Sequence, residues 1–310
     1  MAIRLEQVTY RYEDKHARSS DPVLRDLSTQ LEGGRFTVIC GPPGSGKSTL
    51  LQLLNGILLP SEGCVHVLDY RIEAGQKLKG ANELRRKVGL VFQFPERQFF
   101  EATVREDMMF GPLCFGASRE EADRLAIEVC RQLGMEEAIL DASPHTLSGG
   151  QLRKAAIGAV LTADPDILVL DEPTASLDAA SREGLLVFLR RWCDMEGKSI
   201  ILVTHRLDEV LPYADEYIVL RNGKILFQGD PTRLLASIDT LEGYGIDVPQ
   251  VMRLLVRFAK HYGVELPATG RTLYDVEKIA DYMSEVLKGR DRYEDDDPTR
   301  SVYRDRFATA

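Results

Sequence analysis

Short, continuous apolar runs alternate along the chain with longer segments of helical periodicity. The runs at 36–40, 88–92, 167–170 and 200–203 are rich in Val, Ile and Leu. Runs of this kind, without polar alternation, are typical of strands buried on both faces of a mainly parallel sheet. The pattern therefore predicts an α/β fold.

Helical patterns dominate from residue 94 to about residue 162. The sequence Ser118-Arg-Glu-Glu121 resembles a capping box, and the apolar residues after it recur at helical spacing. Because strand-like runs lie on both sides, we predict a helical insertion into the α/β core. Residues 3–12 alternate loosely and are predicted to form a further strand, followed by a polar loop over 13–22.

The composition changes again beyond about residue 235. Asp247-Val-Pro is predicted to begin a helix that runs through Lys260, and a cap at Thr272 to begin another that runs through Leu287. From residue 289 the chain is polar and acidic, so we predict that 289–310 is disordered.

Composition and charge narrow the possible functions. The 310 residues are 44% hydrophobic and 28% charged, which is ordinary for a large α/β domain with an appendage. The net charge of −9 argues against a nucleic-acid partner. Five cysteines without Cys-x-x-Cys spacing are typical of reduced thiols in a cytosolic protein. The sequence has no secretory signal pattern, and no apolar run approaches the ~20 residues of a membrane span. Any membrane function is therefore expected to act through partners, from the cytoplasmic side.

A glycine-rich loop follows the first apolar run. Residues 41–48 match the pattern G-x-x-x-x-G-K-S, between a predicted strand and a predicted helix over 48–59. The N–H groups of such a loop cradle phosphates, its lysine neutralises charge at the β- and γ-phosphates, and its serine binds Mg²⁺. The candidate ATP-binding residues here are Gly41, Pro42, Pro43, Gly44, Ser45, Gly46, Lys47, Ser48 and Thr49.

Two adjacent carboxylates follow the run at 167–170. Asp171 is placed to hold the Mg²⁺ shell, and Glu172 to orient and deprotonate an attacking water. Such acids at a strand end are common, but together with the glycine-rich loop they predict a site for a nucleotide and Mg²⁺.

A second helix start suited to an anion lies at 147–151, Leu-Ser-Gly-Gly-Gln. One bound nucleotide does not need two such sites. With this motif the chain resembles the ABC ATPase family, in which the signature sequence faces the γ-phosphate of ATP bound to the partner subunit. The resemblance assigns that role to Ser148, Gly149, Gly150 and Gln151.

The other motifs of that family occur in order. The resemblance implies that Gln93 contacts Mg²⁺ together with Ser48 and Asp171, and that His205 senses the γ-phosphate. It implies that Tyr12 stacks on adenine, with Tyr10 as the alternative. The D-loop it implies is Ser176, Leu177 and Asp178, and the implied catalytic residues are Lys47, Glu172 and His205.

Three further segments are similar to energy-coupling factor (ECF) transporters, which import vitamins, nickel or cobalt. These segments are Phe-Gln-Phe-Pro-Glu at 92–96, Thr-Val-Arg-Glu-Asp at 103–107 and Phe-Gly-Pro at 110–112, and residues 244–250 resemble the small C-terminal domain of that group. The first segment and Pro112 favour the A-prime-like ATPase of a heterodimeric pair, with a homodimer left open. The implied partners are a second ATPase, a transmembrane scaffold subunit and a membrane subunit that captures the substrate.

The resemblance implies a P-loop NTPase (RecA-like) core with an antiparallel β subdomain, an inserted helical subdomain and a C-terminal helical domain of the dimerisation type. The predicted domains are 1–93 with 163–235 for the core, 94–162 for the helical subdomain, 236–288 for the C-terminal domain and 289–310 for the tail. The chain departs from the family pattern at Leu152 to Lys154, Ala179 and Arg206, where Met-Arg-Arg, Pro and Ser are common.

Other functions remain as alternatives. An importer served by an external binding protein would use the same ATPase motifs. A cytosolic ABC ATPase of translation or DNA repair is disfavoured, because those proteins usually carry two cassettes or long coiled coils. The signature sequence excludes a P-loop kinase. The aromatic residues of 92–100 are predicted either to pack between subdomains or to line a groove for a coupling helix of the membrane partner.

Overall fold

The computed structural model describes residues 2–12, 21–94, 97–175, 177–266 and 276–295, with the side chains of the last helix described over 277–288. Its strands are β1 (Ile3–Tyr10), β2 (Leu24–Leu31), β3 (Phe36–Cys40), β4 (Glu62–Val67), β5 (Tyr70–Glu73), β6 (Val88–Val91), β7 (Ile167–Asp171), β8 (Ser199–Val203), β9 (Glu216–Arg221) and β10 (Lys224–Gly229). Its helices are α1 (Lys47–Leu54), α2 (Ala81–Lys87), α3 (Val104–Cys114), α4 (Arg119–Gln132), α5 (Gly149–Leu161), α6 (Ala179–Glu196), α7 (Leu207–Val210), α8 (Pro231–Ala236), α9 (Ile238–Gly243), α10 (Gln250–Tyr262) and α11 (Val276–Asp295).

The central sheet has six strands in the order β10-β9-β3-β8-β7-β6. All neighbours are parallel except β10, which pairs antiparallel with β9 at one edge. The four apolar runs of the sequence form β3, β6, β7 and β8, so the predicted α/β fold with a mainly parallel sheet is confirmed. The carboxyl ends of β3 and β7 therefore meet at one edge of the sheet, where the phosphate loop and the two acids follow them.

Side chains of the central strands alternate between two cores. In β7, Ile167 and Val169 belong to the core shared with α1 and the second sheet. Leu168 and Leu170 belong to the core shared with α6 and the helical segments. This alternation follows from the two-residue period of a strand, and it explains why the run lacks polar positions.

The second sheet is antiparallel, with the order β2-β1-β4-β5. The strand predicted over 3–12 is β1, which ends at Tyr10 and leaves Tyr12 in the segment that follows it. Arg25 N donates to the carbonyl of Gly223 at 2.8 Å, which joins this sheet to the β9–β10 turn. The antiparallel sheet thus lies against the end of the central sheet that carries the phosphate loop.

Helix α1 is shorter than the sequence predicted. It ends at Leu54 with Asn55 as its C-cap, whereas the leucine spacing indicated a helix through residue 59. Gly56 has a φ of 69°, a left-handed conformation that stops a helix. The later residues of the pattern, Ile57 and Leu59, are exposed.

The inserted segment folds into α3, α4 and α5 as predicted. Ser118 caps α4, with its Oγ accepting from the N–H of Glu121 at 3.2 Å. Arg105 of α3 pairs with Asp123 of α4 and donates to Asp141 at 2.8 Å. These bonds hold α3 and α4 together at the surface of the insertion.

The C-terminal part is helical. Helix α10 begins at Gln250 and ends at Tyr262, close to the predicted 247–260. Helix α11 continues to Asp295, so residues 289–295, which we predicted to lie in the tail, are helical; charged residues of both signs are compatible with helix in water. The predicted cap at Thr272 and residues 296–310 lie outside the described residues. In the described part of the chain, no helix is both long and apolar enough to cross a membrane.

The packing of β8 gives a prediction about stability. Leu202 lies at the centre of the sheet with its side chain fully buried, whereas Leu226 on the edge strand β10 is exposed. We expect Leu202→Ala to lower the free energy of unfolding by about 2–5 kcal/mol, because it leaves a cavity between the sheet and α6. Denaturant titration measures this, with Leu226→Ala as the matched control at under about 1 kcal/mol. Equal effects of the two substitutions would contradict the assignment of β8 to the core.

Candidate functional site

The phosphate loop is fixed by close contact between backbones. Gly41 follows β3 with a φ of 150°, and a Cβ there would clash with the carbonyl oxygen of Leu220. A Cβ at Gly46 would lie 2.5 Å from the Leu24 side chain. The N–H of Gly223 donates to the carbonyl of Ser45 at 3.2 Å. The loop therefore lies wedged between the two sheets, and only glycine fits at its two ends.

Lys47 and Ser45 present polar groups inside this loop. Lys47 Nζ donates to the carbonyls of Gly41 and Pro42 at 2.8 and 3.0 Å. Burial lowers the pKa of Lys47, and the charges of Glu172 and Asp171 oppose this shift. Ser45 Oγ is buried and has no hydrogen-bond partner among the described residues. A buried ammonium and an unsatisfied hydroxyl in one loop fit an anionic ligand such as a phosphate chain.

An open cavity of about 400 Å³ adjoins the loop. Its lining includes Ser48 at the start of α1, Gln93 after β6 and Asp171 at the end of β7. Burial raises the pKa of the Asp171 carboxyl, and a hydrogen bond from Ser48 opposes this shift. The structure thus brings together all three residues that were predicted to hold Mg²⁺.

Hydroxyl, amide and carboxylate oxygens are the hard ligands that Mg²⁺ prefers, so the donor set fits this ion. Within the described ranges, no group of three or more His, Cys, Asp and Glu side chains is placed to hold a metal.

Glu172 is held against His205 in an unusual backbone conformation. Its φ is 50°, which is sparsely populated for a residue other than glycine. Its N–H donates to the carbonyl of Val203 at 2.9 Å, and its Oε1 accepts from the N–H of His205 at 3.0 Å. The Nδ1 of His205 lies 2.7 Å from the same oxygen. The two predicted catalytic side chains therefore form one hydrogen-bonded pair at the ends of β7 and β8.

The structure distinguishes Tyr12 from Tyr10. Tyr10 is 9% exposed and packs in the core of the antiparallel sheet, whereas Tyr12 is 46% exposed. The hydroxyl of Tyr12 lies 3.0 Å from Thr49 Oγ1, at the start of α1. The half-exposed Tyr12 ring therefore stands beside the phosphate loop, in edge contact with the ring of Tyr10.

The signature residues open α5 at the surface. Ser148 is the N-cap: its Oγ accepts from Gln151 N at 3.3 Å, and Gln151 Oε1 accepts from Ser148 N at 3.0 Å. This capping box is a property that the sequence analysis did not assign to these residues. Ser148 and Gly149 are exposed and do not line the cavity beside the phosphate loop. The same chain thus carries two separate surfaces suited to phosphate.

The D-loop lies between β7 and α6. Leu177 is buried, and a side chain at Gly150 would contact it at 3.7 Å. Asp178 caps α6, accepting from Ser181 N at 2.9 Å, and the hydrogen bonds from Ser181 lower the pKa of its carboxyl. Ser176, the third predicted D-loop residue, lies outside the described residues.

Arg153 joins the signature helix to the site, a role that the sequence analysis missed. It is buried, and it donates to the carbonyl of Gln93 at 2.9 Å and to the carbonyl of Glu172 at 3.3 Å, with a third bond to Ala175. The sequence shows only a basic residue among apolar positions of α5. That pattern does not reveal which carbonyl groups the arginine contacts.

Comparison with known proteins shows the family to which the chain is similar. A family model described as ABC transporter matches residues 24–175. The energy-coupling factor transporter ATP-binding protein EcfA2 of Listeria innocua is 41% identical over 285 residues, which cover 92% of this chain and 99% of the relative. EcfA2 of Streptococcus agalactiae is 42% identical over 273 residues, which cover 88% of this chain and 96% of the relative.

Two solved structures show the same fold. The structure of cbiO1 from Clostridium perfringens, part of the ABC transporter complex cbiONQ, has a TM-score of 0.68 and 31% identity, and the match covers 82% of this chain and 98% of that one. A dimeric post-hydrolysis state of the ATP-binding cassette MJ0796, bound to ADP and Pi, has a TM-score of 0.67 and 28% identity over 73% of this chain and 97% of that one. The chain carries a phosphate loop, paired acids and a separate signature sequence, and the Listeria relative matches 92% of it. It therefore belongs to the ATP-binding proteins of energy-coupling factor transporters, within the ABC transporter ATPases.

Proposed function

We propose that this ATPase works as one half of a two-ATPase pair on the cytoplasmic face of the cell membrane, where it drives import of a vitamin or a transition-metal ion through membrane partners. The observation that carries the proposal is the separation of the two phosphate-binding surfaces on one chain. Ser148 and Gly149 are exposed and absent from the cavity that holds Ser48 and Asp171. A second cassette, placed head to tail, would supply its own signature to this cavity and receive this one.

The phosphate loop binds the ATP phosphates. On binding, Lys47 Nζ exchanges the carbonyls of Gly41 and Pro42 for β- and γ-phosphate oxygens, and the buried Ser45 hydroxyl gains a partner. Ser48, Gln93 and Asp171 would hold Mg²⁺, which, when bound, neutralises charge on the phosphates. Since Lys47 is buried beside two carboxylates, its charge is screened little by water.

Glu172 and His205 carry the hydrolytic step. The Glu172 carboxylate orients a water for attack on the γ-phosphorus in line with the leaving ADP and accepts its proton. His205 holds the Oε1 of Glu172 through its N–H and lies within 2.7 Å through Nδ1. His205 is 61% exposed, and we propose that its Nε2 contacts the γ-phosphate of a bound nucleotide. The sparsely populated backbone conformation of Glu172 directs its carboxylate towards His205.

The signature end of α5 acts on the partner's nucleotide. The N–H groups of Gly149 and Gly150, which the capping box does not use, and the positive helix end suit the γ-phosphate of ATP on a second cassette. Closure of the pair would then depend on ATP, and hydrolysis would release it, since only the bound γ-phosphate favours the closed state. We propose that the two ATPases of the pair are different, homologous chains, so that the pair is a heterodimer. A homodimer is the alternative. We propose that the C-terminal domain, 236–288, contributes to this pairing.

Aromatic side chains after β6 offer a surface for the membrane partner. Phe92, Phe94, Phe100 and Phe110 are exposed, and Phe100 reaches 62%. Phe99 instead packs against the core. Arg97 stacks over the Phe94 ring at 4.9 Å. Exposed rings beside Gln93 suit a coupling helix of the transmembrane subunit, because its docking would move Gln93, one of the residues that would hold Mg²⁺.

Copurification tests this function. The chain is tagged, expressed in its native host and recovered from membranes in mild detergent, and the bound proteins are identified by mass spectrometry. We expect a paralogous ATPase, a scaffold membrane protein and small substrate-capture membrane proteins. If the chain is recovered with the permease of an importer that uses an external binding protein, the alternative function is supported. If it is recovered without any membrane protein, the transport function is overturned.

Replacement of the proposed base separates ATP binding from hydrolysis. Glu172→Gln keeps the shape of the side chain but removes the proton acceptor, so we expect ATP hydrolysis by the purified assembly to fall at least about a hundredfold. ATP binding remains, because Glu172 is not part of the phosphate loop. Asp208→Asn, at an exposed position of α7, is the control and keeps the wild-type rate. Turnover of Glu172→Gln at the wild-type rate would remove this residue from the mechanism.

Replacement of Tyr12 tests adenine stacking. Loss of an aromatic platform costs about 1–3 kcal/mol per base, so we expect Tyr12→Ala to raise the KM for ATP by about 5- to 150-fold. Tyr12→Phe keeps the ring and loses only the contact with Thr49, so its KM stays within about threefold of wild type. Steady-state kinetics measures both. If the two variants behave alike, the ring does not stack on the base.

A further inference from the structure

Glu209 is a buried carboxylate on the short helix that follows His205. Its side chain is only 4% exposed, although it belongs to α7, a helix of four residues. A carboxylate removed from water at this position needs compensation by charge and hydrogen bonds. The groups that compensate it come from three different parts of the site.

Three donors converge on this carboxylate. Arg182 Nη1 of α6 lies 2.9 Å from Glu209 Oε1, and Arg206 Nη1 lies 2.6 Å from the same oxygen. Thr174 Oγ1 donates to Oε2 at 2.8 Å. Oε1 of Glu209 is thus ion-paired with two guanidinium groups without a hydrogen bond of good geometry, whereas Oε2 accepts a hydrogen bond from Thr174.

Each donor belongs to a segment with a function in the site. Thr174 stands two residues after Glu172, and Arg206 directly follows His205. Arg182 also donates from Nη2 to the carbonyl of Leu177 at 2.9 Å. Leu177 is the D-loop residue that adjoins Gly150 at the start of the signature helix. One carboxylate therefore joins the base, the switch histidine and the D-loop.

This arrangement is poorly explained by stability alone. A buried ion pair repays little of its desolvation cost, so an apolar side chain of similar volume would serve the packing equally well. Two guanidinium groups on one carboxylate leave a surplus positive charge, which adds further cost. Two ion pairs and one hydrogen bond on a single carboxylate instead hold the three segments that they join in one arrangement, and this is what a catalytic pair beside a moving interface requires.

We infer that Glu209 is a positioning residue that holds the Glu172–His205 pair in register with the D-loop. Through Thr174 and Arg206 it fixes the two segments that carry the pair, and through Arg182 it fixes Leu177 against the signature start. The hydrolytic geometry on this chain is then set together with the surface that faces the partner cassette. The inference rests on the proposed two-ATPase function and adds a residue that neither binds nucleotide nor contacts water in the reaction.

Steady-state ATP hydrolysis by the assembly that copurifies with the tagged chain tests the inference. Glu209→Gln keeps the shape and one acceptor oxygen but removes the charge that holds two arginines. We expect kcat to fall about ten- to a hundredfold through misplacement of the pair, whereas the KM for ATP stays within about twofold. Glu183→Gln, an exposed glutamate on α6, is the matched control and keeps the wild-type kcat.

A second variant covers the case in which Glu209→Gln does not fold. Thr174→Val removes one donor and leaves both ion pairs, so we expect a folded protein with a somewhat lower melting temperature, in which kcat falls about three- to tenfold at unchanged KM. Combining Arg182→Met with Glu209→Gln gives a double-mutant cycle, in which the two losses in kcat do not multiply because both break the same connection.

Three results would overturn the inference: a kcat within twofold of wild type in folded Glu209→Gln, a rise in KM as large as the fall in kcat, or losses that multiply in the cycle. Failure of the proposed function gives a different result, because the wild-type assembly would then lack ATP hydrolysis or membrane partners before any substitution is made.

Discussion

The close approach between the phosphate loop and the strand-end carbonyl of Leu220 is the constraint on which the rest of the site depends. No side chain fits at Gly41, so the loop can turn sharply out of β3 and present its N–H groups in one direction. The bond from Gly223 to Ser45 fixes the other side of the loop to the β9–β10 turn. Because both sheets take part, the antiparallel sheet, whose strand β1 leads into the segment with Tyr12, has a fixed position relative to the phosphate loop.

Parallel strands then place the remaining chemistry. The carboxyl ends of β3, β7 and β8 meet at one sheet edge, so residues far apart in sequence, Lys47, Asp171 and His205, converge without long loops. Strand β7 packs between two cores, which restricts the conformations of its last residues. The next residue, Glu172, has a left-handed backbone conformation, and its carboxylate lies against His205. In the proposed pair, movement between the two cassettes would change what faces this edge.

Much of this was accessible from sequence because it depends on local signals. Apolar runs predicted the central strands, and the glycine loop and paired acids predicted which residues lie together in and beside the candidate site. Helix α1 was predicted too long, because leucine spacing does not show that Gly56 turns left-handed. The end of the last helix was predicted too early, since charged residues support both helix and tail. The partners of Arg153 and Glu209 depend on tertiary geometry, which no periodicity in the sequence reveals.

The central claim is that the nucleotide site of one cassette is completed by the signature of another. The most direct measurement is the mass, by sedimentation, of the two copurifying ATPases with and without ATP, with this chain carrying Glu172→Gln. The account predicts ATP-dependent pairing that Ser148→Arg abolishes. Ser118→Arg, at the equally exposed N-cap of α4, preserves the pairing. Pairing that survives Ser148→Arg, or that never depends on ATP, would contradict the account.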